Sequence, residues 1–230
     1  MPIFLKYRRS DLVELMDMKD CDPVQLANTY RQFAFINRAL SGWRKLYKTH
    51  IRPYLHQHKK ATVLDIGFGG GDIPLFLSQL ARKDGFELNI TAIEIDERAL
   101  EYVQNLKSDP NVAYQHASLQ QMLDATHTFD FVISNHVLHH LTESDITDFM
   151  EIASQLATYK VLFNDLRRSD FGFVLFWMIS RFFRNSFVRI DGLISIQRSF
   201  SQEELQNLSP TNWNIATLGW FRLLACYESS

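Results

Sequence analysis

Val63-Leu64-Asp65-Ile66-Gly67-Phe68-Gly69-Gly70-Gly71-Asp72 places a buried-strand pattern, an acidic residue and a glycine hairpin in one short stretch. Of the chain's 9 glycines, four lie between positions 67 and 71. Glycine reaches φ > 0 and lets a ligand touch the main chain, so this clustering directly after an apolar run sets backbone against something bound. An ordinary strand-to-helix turn needs about one glycine.

Outward from that loop the chain alternates strand-like and helix-like runs, the signature of a parallel sheet with crossover helices. Strands are expected at Thr62 to Ile66, Asn89 to Ile95, Val112 to His116, Phe129 to Asn135 and Tyr159 to Asp165. Two closing strands are expected near Asn214 to Leu218 and Phe221 to Tyr227. Asp72 reads as the cap of a helix to about Arg82 with Pro74 in its first turn; a second helix spans Glu97 to Lys107, and Thr142-Glu143-Ser144-Asp145 reads as a capping box. Before the loop the pattern is helical: Asp22-Pro23 opens a helix ended by Ser41-Gly42, Trp43 to Tyr54 is another, and His56 to Lys60 is a basic turn. After the fifth strand come an aromatic helix at Phe171 to Phe183, an Arg-rich loop, and a short helix from Ser201 capped by Glu204.

The fold expected is α/β and Rossmann-like: a seven-stranded, mostly parallel sheet with helices on both faces, an N-terminal helical cover and a helical insertion after strand five. It is one domain over 1–230, with the cover at 1–60, the cofactor-binding core at 61–165 and the acceptor-side helix, loop and closing strands at 166–230. Length allows a sizeable core without staples. Hydrophobic residues at 46% and charged residues at 22% match soluble globular averages, and a formal charge of -2 argues against a nucleic-acid partner. Cys21 and Cys226 have no metal-ligand spacing and suit a reducing compartment. Met1 to Arg9 reverses the order of a secretory signal, so a cytoplasmic location is expected. Phe171 to Phe183 is too short to span a membrane and is interrupted by Arg181, so no stable membrane insertion is expected. It reads first as a core or lid helix, with interfacial membrane contact or a greasy substrate tunnel as the alternatives.

A dinucleotide loop needs a small third residue in G-x-G-x-x-G, and counting from Gly67 and Gly69 that position holds Asp72. The pattern present is Asp-x-Gly-x-Gly-x-Gly, from Asp65, Gly67, Gly69 and Gly71, followed by Glu94 at the end of the second strand. From Thr62 to Asp165 these residues resemble the class I S-adenosylmethionine-dependent methyltransferases. The resemblance implies that Gly67, Gly69 and Gly71 lie against the methionyl part of S-adenosylmethionine, that Asp65 fixes the turn or engages the amino group, and that Glu94 accepts from both ribose hydroxyls. Ser118 stands where relatives often carry an acid for adenine, and the Leu119 backbone shares that task. In Asn135-His136-Val137-Leu138-His139-His140-Leu141, Asn135 would border the methionyl moiety, His136 would close over the cofactor, and His139 is favoured over His140 to face the reaction centre.

Asn164-Asp165-Leu166-Arg167-Arg168-Ser169, the aromatic helix, the stretch from Arg189 to Phe200 and Phe35-Ile36-Asn37-Arg38 are similar to a bacterial subgroup encoded near type III polyketide synthases and flavin oxidoreductases. That likeness implies secondary metabolism, a phenolic or polyketide-derived acceptor, and Asn37 and Arg38 as parts of a cover. Arg167, Arg168, Arg189 and Arg198 read equally well as solvated surface charge. The aromatic helix would then form the pocket of an aromatic or lipid-like small-molecule acceptor.

Methyl transfer from a sulfonium is an in-line displacement that needs alignment and exclusion of water, and no metal is required for it. A phenol of pKa ~10 reacts faster as phenolate, which makes His139 and Asp165 the candidate bases. C-methylation of a quinone-type lipid precursor, a nicotinamide-dependent oxidoreductase and a cofactor-binding protein without turnover are the alternatives. Oligomeric state is not encoded legibly.

Overall fold

Apolar runs expected to be strands are strands: Lys60–Ile66 (β1), Glu87–Glu94 (β2), Val112–His116 (β3), Phe129–Asn135 (β4) and Ala157–Leu166 (β5). In the computed structural model, which describes residues 2–219 and 221–229, they join Asn214–Thr217 (β6) and Arg222–Glu228 (β7) in a seven-stranded sheet of order β3-β2-β1-β4-β5-β7-β6. Every neighbouring pair is parallel except those of β7, which runs antiparallel to both β5 and β6. Strand order reverses between β1 and β4, where Ile66 stands opposite Ser134. A crevice opens at such a reversal, beyond the carboxyl ends of the strands.

Side chains alternate across the sheet with the strand period of two. Val63, Phe131, Ile133 and Leu162 pack with Trp43, Leu46, Ile51 and Leu77, from helices Trp43–Leu46 (α2) and Asp72–Lys83 (α4) and the turn between α2 and Arg52–His58 (α3). Their neighbours Leu64, Val132, Val161 and Phe163 pack with Ile146, Met150 and Leu205 from Glu143–Leu156 (α7) and Gln202–Leu208 (α10). Helices therefore cover both faces, as expected of the Rossmann-like fold.

Helix Pro23–Leu40 (α1) begins as expected, the Asp22 carboxylate accepting from Val24 N at 2.8 Å and Gln25 N at 2.9 Å. Other expectations are corrected. The helix expected at Trp43 to Tyr54 continues to His58 through a π-wound turn, Tyr47–Ile51. Pro53 has no N–H to continue the i→i−4 ladder, and the wider turn before it accommodates the missing bond. The basic turn at His56 to Lys60 is thus a helix end and a strand start. Asp72 is the first residue of α4 rather than its cap; Gly71, at φ +73°, takes the cap position. Thr142 precedes α7 without capping it, because its hydroxyl is turned to Ser144 and Asp145 side chains. Glu97–Gln104 (α5) is shorter than expected, and Leu119–Asp124 (α6), opened by a capping box at Ser118 and Gln121, was not expected.

The Arg-rich loop is a helix, Val188–Arg198 (α9), in which Gly192 makes room for Phe176: a Cβ there would lie 2.4 Å from the ring. Asp170–Ile179 (α8) forms as expected, but it is neither core nor lid. Val174, Trp177, Met178 and Ile179 are exposed on it and Phe182 beyond it is 85% exposed. No helix among the described residues is long and apolar enough to cross a membrane.

The N-terminal cover is not wholly helical. Residues 2–14 form an irregular strap, followed by one 3-10 turn at Leu15–Asp17. Arg168 donates to Leu5 O at 2.9 Å, Arg198 to Leu12 O at 2.6 Å, and Arg98 to Met16 O at 2.9 Å. The Asp191 carboxylate accepts from Leu15 N at 2.8 Å and Met16 N at 3.0 Å. Arg168 and Arg198 are buried and hold the strap; Arg189 is the solvated one.

Candidate active site

A cavity of about 1180 Å³ opens at the carboxyl ends of β1, β2 and β4. Single-ligand pockets are typically ~300–1,000 Å³, so this one has room for a donor and an acceptor. Its lining includes Asp65, Gly67, Gly69, Glu94, Ser118, Leu119, Asn135, His136 and His139 from the sequence-derived set; Gly71 and Asp165 lie behind the wall.

The glycine loop is held on three sides. Gly67 has φ +77°, and a Cβ on it would lie 2.4 Å from Val137 Cγ2. A Cβ on Gly70 would meet Tyr30 Cβ at 3.0 Å. Gly71 lets the loop close on β3, since a Cβ would come within 2.8 Å of the Tyr114 hydroxyl, which donates to the Gly71 carbonyl at 2.9 Å. Gly71 therefore serves packing, not the cavity wall.

Asp65 is 1% exposed, and its Oδ2 has no hydrogen-bond partner among the described residues. Burial, then the charges of Asp72 and Glu94, hold its carboxyl well above the ordinary range. Burial likewise raises Asp72 to about 6, although Asn37 donates to it at 3.5 Å. A buried acid aimed into a cavity and lacking a partner fits a ligand ammonium group. Glu94 accepts from Gly69 N at 3.1 Å through Oε2 and from Ile95 N at 2.8 Å through Oε1, which fixes the carboxylate at the strand end with lone pairs to spare. The Ser118 hydroxyl is engaged in capping α6, so it is a weaker hydrogen-bond partner for a ligand than the sequence implied.

Asn135 Oδ1 accepts from Trp43 Nε1 at 2.9 Å and Asn164 Nδ2 at 3.0 Å. His136, at φ +65°, turns its ring to the Arg222 guanidinium on β7; burial and that charge push the imidazole well below its usual range. The neutral ring is tied to β7 and borders the cavity.

His139 lies between two acids. Asp165 Oδ1 is 2.7 Å from its Nδ1 and accepts at that nitrogen, and Glu14 Oε1 is 3.4 Å from its Nε2. Burial disfavours the charged ring, but Asp165 and Glu14 outweigh it and raise His139 to about 10. Burial would raise Asp165 too, yet His139 holds it well below the carboxylate range. Neither is the free base expected: the ring is charged at neutral pH, and Asp165 reaches the cavity only through it. Behind them His139 O accepts from Arg8 at 3.0 Å and Arg198 at 3.3 Å.

Sequence reasoning missed Glu14, Asp17, Tyr30 and Phe33, which line the cavity together with Ser195 and Arg198 from the Arg189–Phe200 stretch. Helical spacing along α1 is the signal that marks Tyr30 and Phe33 as lying on one face. Asn37 lines the cavity as a cover residue should, whereas Arg38 faces a separate small pocket beside Phe76. No residue of 171–183 borders the cavity, so the aromatic helix does not form the acceptor pocket.

Residues 63–158 match the family model of the methyltransferase domain. Comparison with curated proteins gives no match. Among solved structures, the plantazolicin methyltransferase BpumL, in complex with a pentazolic desmethylPZN analog and SAH, aligns at TM-score 0.63 with 14% identity, over 90% of this chain and 95% of that one. Magnesium protoporphyrin IX methyltransferase (ChlM) from Synechocystis PCC 6803, with bound SAH, aligns at TM-score 0.50 and 13% identity over 87% and 99%. A putative O-methyltransferase from Nostoc punctiforme PCC 73102 gives 0.52 and 13% over 87% and 60%. Identities this low establish the fold alone, and the match to the methyltransferase-domain model falls on residues 63–158, the stretch that carries β1 to the start of β5.

Proposed function

We propose that this protein transfers the methyl group of S-adenosylmethionine to a small molecule, by O-methylation of a phenolic or polyketide-derived acceptor. The observation that carries the reading is the unpartnered Asp65 carboxylate beside the Gly67–Gly69 backbone and Glu94, at the point of strand-order reversal. Asp65 would take the methionyl ammonium, Glu94 the ribose hydroxyls, and Leu119 the adenine edge, with Asn135 and His136 closing the methionyl end. Solved methyltransferases of this fold hold SAH, which supports the donor assignment. When bound, S-adenosylmethionine would supply a methyl carbon on a sulfonium: the lone pair of the acceptor oxygen, its proton lost to solvent water as the phenol ionises, would form the new bond, and the carbon–sulfur pair would return to sulfur.

The chain's own residues align and polarise the acceptor. Tyr30, Phe33 and Met16 give the cavity an apolar, partly aromatic lining, with Tyr30 packed against Gly70 of the glycine loop; such a lining suits a phenolic ring and excludes water. His139, charged and aimed by Asp165, stabilises a developing phenolate; Asp165 is its positioning residue. Similarity of Asn164 to Ser169 and of Arg189 to Phe200 to the polyketide-associated subgroup supports the acceptor class.

Thermal stabilisation tests the donor: SAH and S-adenosylmethionine should raise Tm, and NAD and NADP should not. Labelled methyl donor with a panel of alkylresorcinols, naphthols and quinols tests the acceptor. Stabilisation by a nicotinamide alone overturns the donor assignment, and label on carbon in every product overturns O-methylation.

A further inference from the structure

His139 and His140 are consecutive in one 3-10 turn, Leu138–His140, yet a different carboxylate holds each at Nδ1. Asp165 Oδ1 lies 2.7 Å from Nδ1 of His139, and Asp17 Oδ2 lies 3.2 Å from Nδ1 of His140. Both Nε2 atoms are thereby turned to the same place. Glu14 Oε1 stands there, 3.4 Å from Nε2 of His139 and 3.9 Å from Nε2 of His140. One donor atom from each of these three residues lies within 4.8 Å of the other two. Ser195 fixes the glutamate by donating to the same Oε1 at 2.8 Å. Nε2 of His139 is buried without a hydrogen-bond partner among the described residues.

An imidazole whose Nδ1–H is bound by a carboxylate, with Nε2 directed at a shared point, is prepared for metal ligation: the outer acid fixes the tautomer and raises the basicity of the ligating nitrogen. Here that arrangement occurs twice. Nitrogen and oxygen ligands ~2.0–2.2 Å from one ion sit roughly 3–3.5 Å apart; Glu14 and His139 already stand at that spacing, and the other separations, none above 4.8 Å, must close for the ion to be held. Charge points the same way. Glu14, Asp17 and Asp165 surround the two rings, while the nearby Arg8 and Arg198 donate to main-chain carbonyls of 139, 140 and 141.

We propose that Glu14, His139 and His140 bind one divalent transition-metal cation at the acceptor end of the cavity, with Asp165 and Asp17 as the outer carboxylates. Two imidazoles select Zn2+ or Co2+ over Mg2+. The ion would sit where the Glu14 carboxylate and the two rings converge. Its consequence for chemistry rests on the methyltransferase reading: an open position facing the cavity would hold the acceptor oxygen and favour its ionised form. The same ion would pin the strap, through Glu14, to the turn after β4. This revises the expectation that no metal takes part.

Metal binding is measured directly, on untagged full-length protein stripped with chelator, by equilibrium dialysis against Co2+ and Zn2+ with elemental analysis and the visible Co2+ absorption band. About one ion per chain is expected in the wild type. Glu14→Gln and His140→Ala should each weaken binding at least about tenfold, and Asp165→Asn by about 10–100-fold. His140 is half-exposed and Glu14→Gln is isosteric, so these variants keep the test open where a change at buried His139 unfolds the chain. Stoichiometry far below one, binding indifferent to both variants, or occupancy by Mg2+ alone overturns the site. SAH calorimetry on the same stripped protein separates the two readings: SAH binding with no metal uptake in dialysis sinks the metal site alone, and metal uptake with no SAH binding sinks the donor assignment alone.

Discussion

Gly69 and Glu94 join across 25 positions of chain, at the ends of two adjacent strands, whereas Ser195 and Glu14 join across 181. The donor end of the cavity is thus built from neighbours within one half of the sheet. The acceptor end is assembled from the strap, the turn after β4 and α9, which meet only when the whole chain has folded. Backbone at strand ends is fixed by the sheet ladder; a strap held by a few arginines opens at lower free energy. The molecule therefore combines a glycine-loop floor set by the sheet with a wall held through side chains of the strap, the turn after β4 and α9.

Removing the main tie of the strap should give the largest effect. Arg198→Met strips donors from the carbonyls of Leu12, His139 and His140 and should cost about 3 kcal/mol. That corresponds to roughly 6–12 °C in Tm for a chain this size, with faster amide exchange at 12–16 and SAH affinity little changed. If SAH binding collapses with it, the two ends are not independent. Glu94→Ala is the converse test: SAH affinity should fall by about 1.5–3 kcal/mol in calorimetry, while exchange in the strap stays at wild-type rates. Ser201→Ala removes the reciprocal cap of α10 and should lower stability by about 1 kcal/mol, read by denaturant titration, with both ligand ends intact. Phe182→Ser should change stability by less than about 0.5 kcal/mol and leave the acceptor KM unaltered. A raised KM would return the aromatic segment to the acceptor site.

The same contrast explains what could be read from the chain. Gly67, Gly69, Asp72 and Glu94 act through local spacing, and the strands before and after them announce themselves by apolar runs. Glu14 has no such signal, because its burial at 2% exposure depends on His139 and Ser195, far away in sequence. The aromatic helix was misjudged for a related reason. A run such as Phe173 to Phe176 has no polar face to set its orientation, and which side meets solvent is decided by α9, where Gly192 receives Phe176 and leaves Trp177 and Met178 outside. His139 was legible as a site residue, but its two acid partners reverse the protonation state expected of it.

β6 pairs with β7 alone and has no hydrogen-bonded contact with the other five strands. During synthesis it therefore has nowhere to dock until the later strand has left the ribosome and slotted in beside β5. Arg222, which anchors the His136 ring, arrives on that same strand. A growing polypeptide can thus form the glycine-loop half early, whereas the wall around His136 closes only after β7 has emerged and paired with β5.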